Sequence, residues 1–169
     1  MNSLNLKTYI SQVLEQQGLP SFWAESLTLL LLFVLILFLG RVLFWVARKI
    51  IIGIFNRVSK RTKSSFDDLL LKNKVPGLLS YIPFLFFLYA YIPGLFESQY
   101  ELLFSSSKNI LEALFVIVFI SLIRSVLKTL NDYLKTIPAL KDKPLDSYLQ
   151  VVMIFLWFMG GILILSILT

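Results

Sequence analysis

Four stretches of this chain carry so many consecutive apolar residues that a lipid bilayer is their natural solvent. A helix needs about 20 mostly apolar residues to cross the ~30 Å hydrocarbon layer. The first candidate span, 26–47, opens on "SLTLLLLFVLILFLG" from Ser26 to Gly40 without a charge and continues past Arg41. The second, 78–96, reads "LLSYIPFLFFLYAYIPGLF" and is also uncharged. The third, 109–127, holds Glu112 near its start and Arg124 near its end, and the fourth, 148–169, is uncharged throughout. The expected fold is therefore an all-α integral membrane protein with about four transmembrane helices. Ahead of them, Leu4, Leu6, Ile10, Val13 and Leu14 fall roughly on one helical face. That pattern predicts an N-terminal amphipathic segment over 1–20, lying on the membrane or preceding the first span as a short surface helix. The first apolar run is too long and starts too late for a signal peptide.

Composition agrees. Of 169 residues 57% are hydrophobic and the mean hydropathy is +0.81, above the ~45–50% apolar usual for soluble domains. There is no Cys and no His, which removes disulfides, thiolate chemistry, the commonest metal ligand and the commonest general base. No Gly-rich phosphate loop or nucleophile elbow is present, and neither catalysis nor a cofactor or metal is expected. A small transporter is not supported, because no polar groups gather at midspan and no paired broken helices occur.

The net charge of +6 is distributed unevenly. Nine cations lie between Arg41 and Gly77: Arg41, Arg48, Lys49, Arg57, Lys60, Arg61, Lys63, Lys72 and Lys74. Five more, Arg124, Lys128, Lys135, Lys141 and Lys143, lie between Arg124 and Ser147. Only Lys7 and Lys108 fall elsewhere. Fourteen of sixteen cations on one side predict that this side is the cytoplasm, with the N-terminus outside it. The partner implied is membrane lipid rather than nucleic acid. Arg41, Arg48, Lys49, Arg57, Lys60, Arg61 and Arg124 are the expected headgroup and interface anchors, each worth up to ~1 kcal/mol at an anionic leaflet. Glu112 is assigned to anchoring as well.

Between the first two spans stands "KSSFDDLLLKNKVPG", residues 63–77. Ser64-x-x-Asp67 and Ser65-x-x-Asp68 both resemble a capping box, which predicts a helix from about Phe66 through "DDLLLKNK". A carboxylate in a first turn also meets the positive end of the helix dipole, for about 0.3–1 kcal/mol. The alternative is an ion pair from Asp67 or Asp68 to Arg57, Lys60 or Arg61 across a cytoplasmic helical hairpin. A metal or catalytic dyad is disfavoured, since adjacent helical residues diverge by ~100°. Pro76-Gly77 is expected to end that helix and is a candidate hinge before the second span. Pro83 and Pro93-Gly94 interrupt or bound the second span, as static kinks or as hinges. Gly160-Gly161 could permit close packing of the fourth helix.

Two segments resemble the small-conductance mechanosensitive (MscS) channel superfamily, in its miniconductance branch with extra membrane helices. One is "NRVSKRTKSSFDDLLLKNKVPGLLSYIPFLFFLYAYIPG", with T-x-x-S-F-D-D-L-L leading into a span with an early Pro; the other is "KDKPLDSYLQVVMIFLWFMGGILILSILT". The resemblance covers roughly residues 50–169. It implies a homo-heptameric channel of the inner membrane that opens on osmotic downshock to release ions and solutes. In that family peripheral helices sense tension around a Gly/Ala-rich pore helix and a β-rich cytoplasmic vestibule. Neither of those two parts is in the 169 residues, so 21–169 is expected to be the sensor region of a longer protein. The competing expectation is a small four-helix membrane protein with a structural or assembly role.

Overall fold

The computed structural model describes residues 3–61, 65–96, 100–138, 140 and 143–169. The described residues are helical throughout their regular structure: α1 (Ser3–Gln16), α2 (Ser21–Arg61), α3 (Ser65–Lys72), α4 (Val75–Leu79), α5 (Tyr81–Tyr91), a 3-10 turn (Pro93–Leu95), α6 (Glu101–Leu134) and α7 (Leu145–Leu168). Four helical stretches are long and apolar enough to cross a membrane: 21–61, 75–95, 101–134 and 145–168.

The helices exceed the apolar runs that announce them. At ~1.5 Å per residue, the 41 residues of α2 reach about 60 Å, twice the ~30 Å hydrocarbon layer. The 34 residues of α6 reach about 50 Å by the same rise. Both therefore project beyond the bilayer, and at α2's C-terminal end the projecting part carries Arg57, Lys60 and Arg61.

Turn chemistry sets the connections. Gly18, at φ +89°, ends α1 in the left-handed conformation that glycine adopts without steric cost. Pro20 then precedes α2, and its carbonyl accepts the Ala24 N–H at 3.0 Å. At the other end of α2, α3 stops at Lys72, and Lys74 takes a left-handed φ of +62°. Sequence reasoning placed this stop at Pro76-Gly77. Those residues instead start α4, where a missing N–H costs nothing because first-turn donors have no helical partner anyway.

The second span is broken. Ser80 separates α4 from α5, three residues before Pro83. Pro83 has no N–H for the Leu79 carbonyl, and the chain tightens there. The Ser80 hydroxyl, fully buried, donates to the Pro76 carbonyl at 2.8 Å. Pro93 and Gly94 form the 3-10 turn at the far end, after α5 has stopped at Tyr91.

The helices form a row rather than a closed bundle. α2 packs on α4 and α5, these pack on α6, and α6 packs on α7; α1 lies against α2. Leu88, Ile92 and Leu111 make the central cluster, flanked by Phe33, Ile36 and Phe84, so α5 is gripped between α2 and α6. Two glycines set close approaches. A Cβ on Gly40 would meet Phe84 and Leu88 of α5 at 3.0 and 3.2 Å. A Cβ on Gly160 of α7 would lie 1.9 Å from Ile120 Cδ1 of α6, whereas Gly161 faces open space. Only 6% of the most apolar stretch of α7 is buried. Exposed Val151, Ile154, Phe155, Phe158 and Leu165 leave the rest of its circumference to lipid or another helix.

Candidate functional site at the basic end of the row

The polar chemistry of the chain concentrates where the C-terminal ends of α2 and α6 meet α3, α4 and the start of α7. The short helix α3 is the keystone, since it touches α2 on one side and α6 on the other. Its contact with α6 is specific. Asn73 Nδ2 donates to Asp132 Oδ2 at 3.0 Å, and the Ser125 hydroxyl donates to the Asn73 carbonyl. Phe66 meets Tyr133 edge-on with ring centroids 5.4 Å apart. The left-handed Lys74 follows directly. A non-glycine residue pays about 1–2 kcal/mol for that conformation, and the buried Val75-Pro76 pair after it makes the sharp turn necessary.

The acidic pair lies in a first turn, as expected, and one member reaches across to α2. Asp67 and Asp68 sit in the first turn of α3. Asp68 Oδ1 accepts a hydrogen bond from the Ser59 hydroxyl near the end of α2. This contact across the hairpin is a hydrogen bond from a hydroxyl, not the expected ion pair to Arg57, Lys60 or Arg61. Ser64 lies outside the described residues, and Ser65 is the first residue of α3.

A second junction fastens α7 to α6. Asn131, buried on α6, donates from Nδ2 to Asp146 Oδ1 at 2.8 Å. Lys135 Nζ reaches both Asp146 oxygens at 2.6 Å. This ion pair is solvent-accessible, so water and salt screen most of its attraction. Asp146, Asn131 and Lys135 were not singled out from sequence. The signal available was Asp146 in the first turn of an uncharged span, where a carboxylate suits the helix dipole.

The expected anchors divide into groups. Arg41 stacks over Phe44, 5.6 Å from the ring centroid, and Lys49 lies 5.2 Å from that of Trp45. Both are contacts within α2 between a cation and a neighbouring aromatic ring. Arg57, Lys60 and Arg61 are exposed on the α2 extension. Arg48 lines a cleft between α2 and α4 with Lys74, Gly77 and Tyr81. Arg124 stands on α6 between two grooves, one toward α3 and α4 and one toward α7. Glu112 Oε1 accepts the Tyr89 hydroxyl of α5 at 3.0 Å.

Comparison of the chain with protein-family models, with curated proteins and with solved structures finds no match.

Proposed function

We propose that this chain is the membrane-tension-sensing region of a mechanosensitive ion channel, inserted in the cytoplasmic membrane with its basic end toward the cytoplasm. The observation that carries the reading is the row arrangement: spanning helices joined side by side, with α7 held by α6 and otherwise bare. A closed bundle shields its helices from one another's lipid. An open row exposes both of its faces to lipid, so its in-plane area and tilt respond to bilayer thinning and spreading. States of different area then exchange population under tension, and no further chemistry is required.

The basic end supplies the coupling. α3 is hydrogen-bonded to α2 through Asp68 and Ser59, and to α6 through Asn73 and Asp132. A tilt of α2 is thereby passed to α6 at the membrane surface, while the break at Ser80 and Pro83 lets the second span follow. The resemblance of residues 50–169 to the MscS superfamily supports the same reading and adds a homo-oligomeric, heptameric channel as the setting.

Patch-clamp recording from giant spheroplasts expressing the full-length protein that contains these residues tests the proposal. Stretch-activated current is expected, with Asn73→Ala shifting the threshold tension. No current at any sub-lytic tension would overturn it.

A further inference from the structure

We infer that the groove between α3, α4 and α6 is a binding site for the headgroup of an anionic phospholipid. The groove has a volume of about 510 Å³ and is lined by Lys72, Lys74, Arg124 and Lys128, with Leu78 and Ser121 among the remaining walls. No carboxylate is in its lining. The neighbouring groove toward α7 differs, because Asp132 and Asp146 line it beside Arg124 and Lys128.

The four cations come from two segments about fifty residues apart, and folding sets them facing one space. Arg124 and Lys128 are four apart on α6 and so share a face, where like charges repel. Lys72 and Lys74 close the groove from the other side. Among the described residues, none of the four makes an ion pair. The other polar groups are already engaged: the Asn73 amide with Asp132, the Ser125 hydroxyl with the Asn73 carbonyl, and the Ser121 hydroxyl with the Ile117 carbonyl. Only the cations remain to meet a ligand, and the ligand that relieves their repulsion is an anion. Arg offers a planar fork for phosphate oxygens and Lys a point charge.

A phosphate group can arrive on a lipid or free in solution. Three features favour the lipid. The groove lies at the end of a spanning helix, where headgroups are. Leu78 gives it an apolar wall. α6 also exposes Ile117, two turns before Arg124 on the same helical face, a surface on which an acyl chain can lie. Basic pockets between helices at the membrane surface suit such headgroups. The site stands whether or not the protein gates an ion pore.

Native mass spectrometry of the full chain in detergent, titrated with phosphatidylglycerol or with phosphatidylcholine, tests the inference. Phosphatidylglycerol is expected to bind more tightly, by about fivefold for each cation engaged. Lys72→Gln with Arg124→Gln and Lys128→Gln should bring it down to the phosphatidylcholine level. Arg124→Lys should keep most of the binding. Arg57→Gln with Lys60→Gln and Arg61→Gln removes as many charges outside the groove and should leave it intact. Lys74→Gly separates folding from binding, because glycine suits the positive φ while the cation is lost. It should retain or raise thermal stability and still weaken phosphatidylglycerol. Equal loss in the two triple variants, or no preference for phosphatidylglycerol, would overturn the inference. Displacement of the lipid by millimolar inorganic phosphate would overturn it too, identifying a soluble anion as the ligand.

Discussion

Replacing Gly160 by Leu tests the seam that holds the outermost helix. A Cβ at this position would sit 1.9 Å from Ile120 Cδ1 and 3.3 Å from Cγ1, against ~3.5–4.0 Å for carbons in ordinary contact. Alanine can be admitted by rotating the end of the Ile120 side chain, at about 0.5–1.5 kcal/mol. That is close to what glycine removal returns to a helix, about 0.5–1 kcal/mol. Gly160→Ala is thus expected to be nearly neutral. Leucine has no comparable escape, because its branches must enter the α6–α7 contact itself. Overpacking of this kind costs about 1–3 kcal/mol. Gly161→Leu is the internal control, since no atom lies within 4 Å of a Cβ there, and it should change stability little. The assay is SDS-driven unfolding of the full chain in mixed micelles, read by tryptophan fluorescence, with Trp157 one turn away on α7. Combining Gly160→Leu with Ile120→Ala should recover about 1 kcal/mol or more, the coupling expected of residues in contact. Equal costs at 160 and 161, or additivity with Ile120→Ala, would refute the packing account.

The Tyr89–Glu112 bond predicts that Tyr89→Phe destabilises by about 1–3 kcal/mol in the same assay, because a partly buried carboxylate loses its donor. Glu112→Gln keeps an oxygen acceptor and should cost less than half as much. Asn73→Ala should loosen α3 from α6 by about 1–2 kcal/mol. Hydrogen exchange should then speed up across residues 65–79 while the amides of α7 stay protected. At the α6–α7 junction, Lys135→Gln should cost little stability, and high salt should remove what cost there is. Asn131→Ala, which removes a buried donor to Asp146, should cost more in SDS unfolding at any ionic strength.

Much of the architecture is legible without coordinates because bilayer solvation acts residue by residue. An uncharged run such as Ser26–Gly40 must be helical in lipid to satisfy its own backbone, and the crowding of cations at 41–77 and 124–147 assigns both to one side. The same rule explains why helix lengths were underestimated. Hydropathy stops at the membrane surface, whereas the α2 helix runs on to Arg61 through residues that lipid does not require. The site at the basic end was legible only in part. Asp67 and Asp68 were correctly placed in a first turn by local spacing, but the Ser59 partner of Asp68 depends on how α3 folds back. Lys74 as the turning residue was hidden by Pro76-Gly77, the stronger local signal, which the chain uses to begin a helix.

The order of the row, the seam at Gly160 and Ile120, the Tyr89–Glu112 bond and the four-cation groove were decided by tertiary structure alone. In a soluble protein an apolar stripe on each helix says which face turns inward. These helices are apolar nearly all round, so every face is acceptable to lipid and the pattern names no neighbour. Association then rests on side-chain fit and interhelical hydrogen bonds rather than on the hydrophobic effect. Those terms exist only between specific atoms of different helices: the hydrogen on Gly160 that leaves room for Ile120, or the Asn73 amide that finds Asp132 59 residues away. Sequence alone determined that this chain lives in a membrane and which end of it is basic. Which helices stand side by side, and hence which cations share a groove, was determined by the contacts they make.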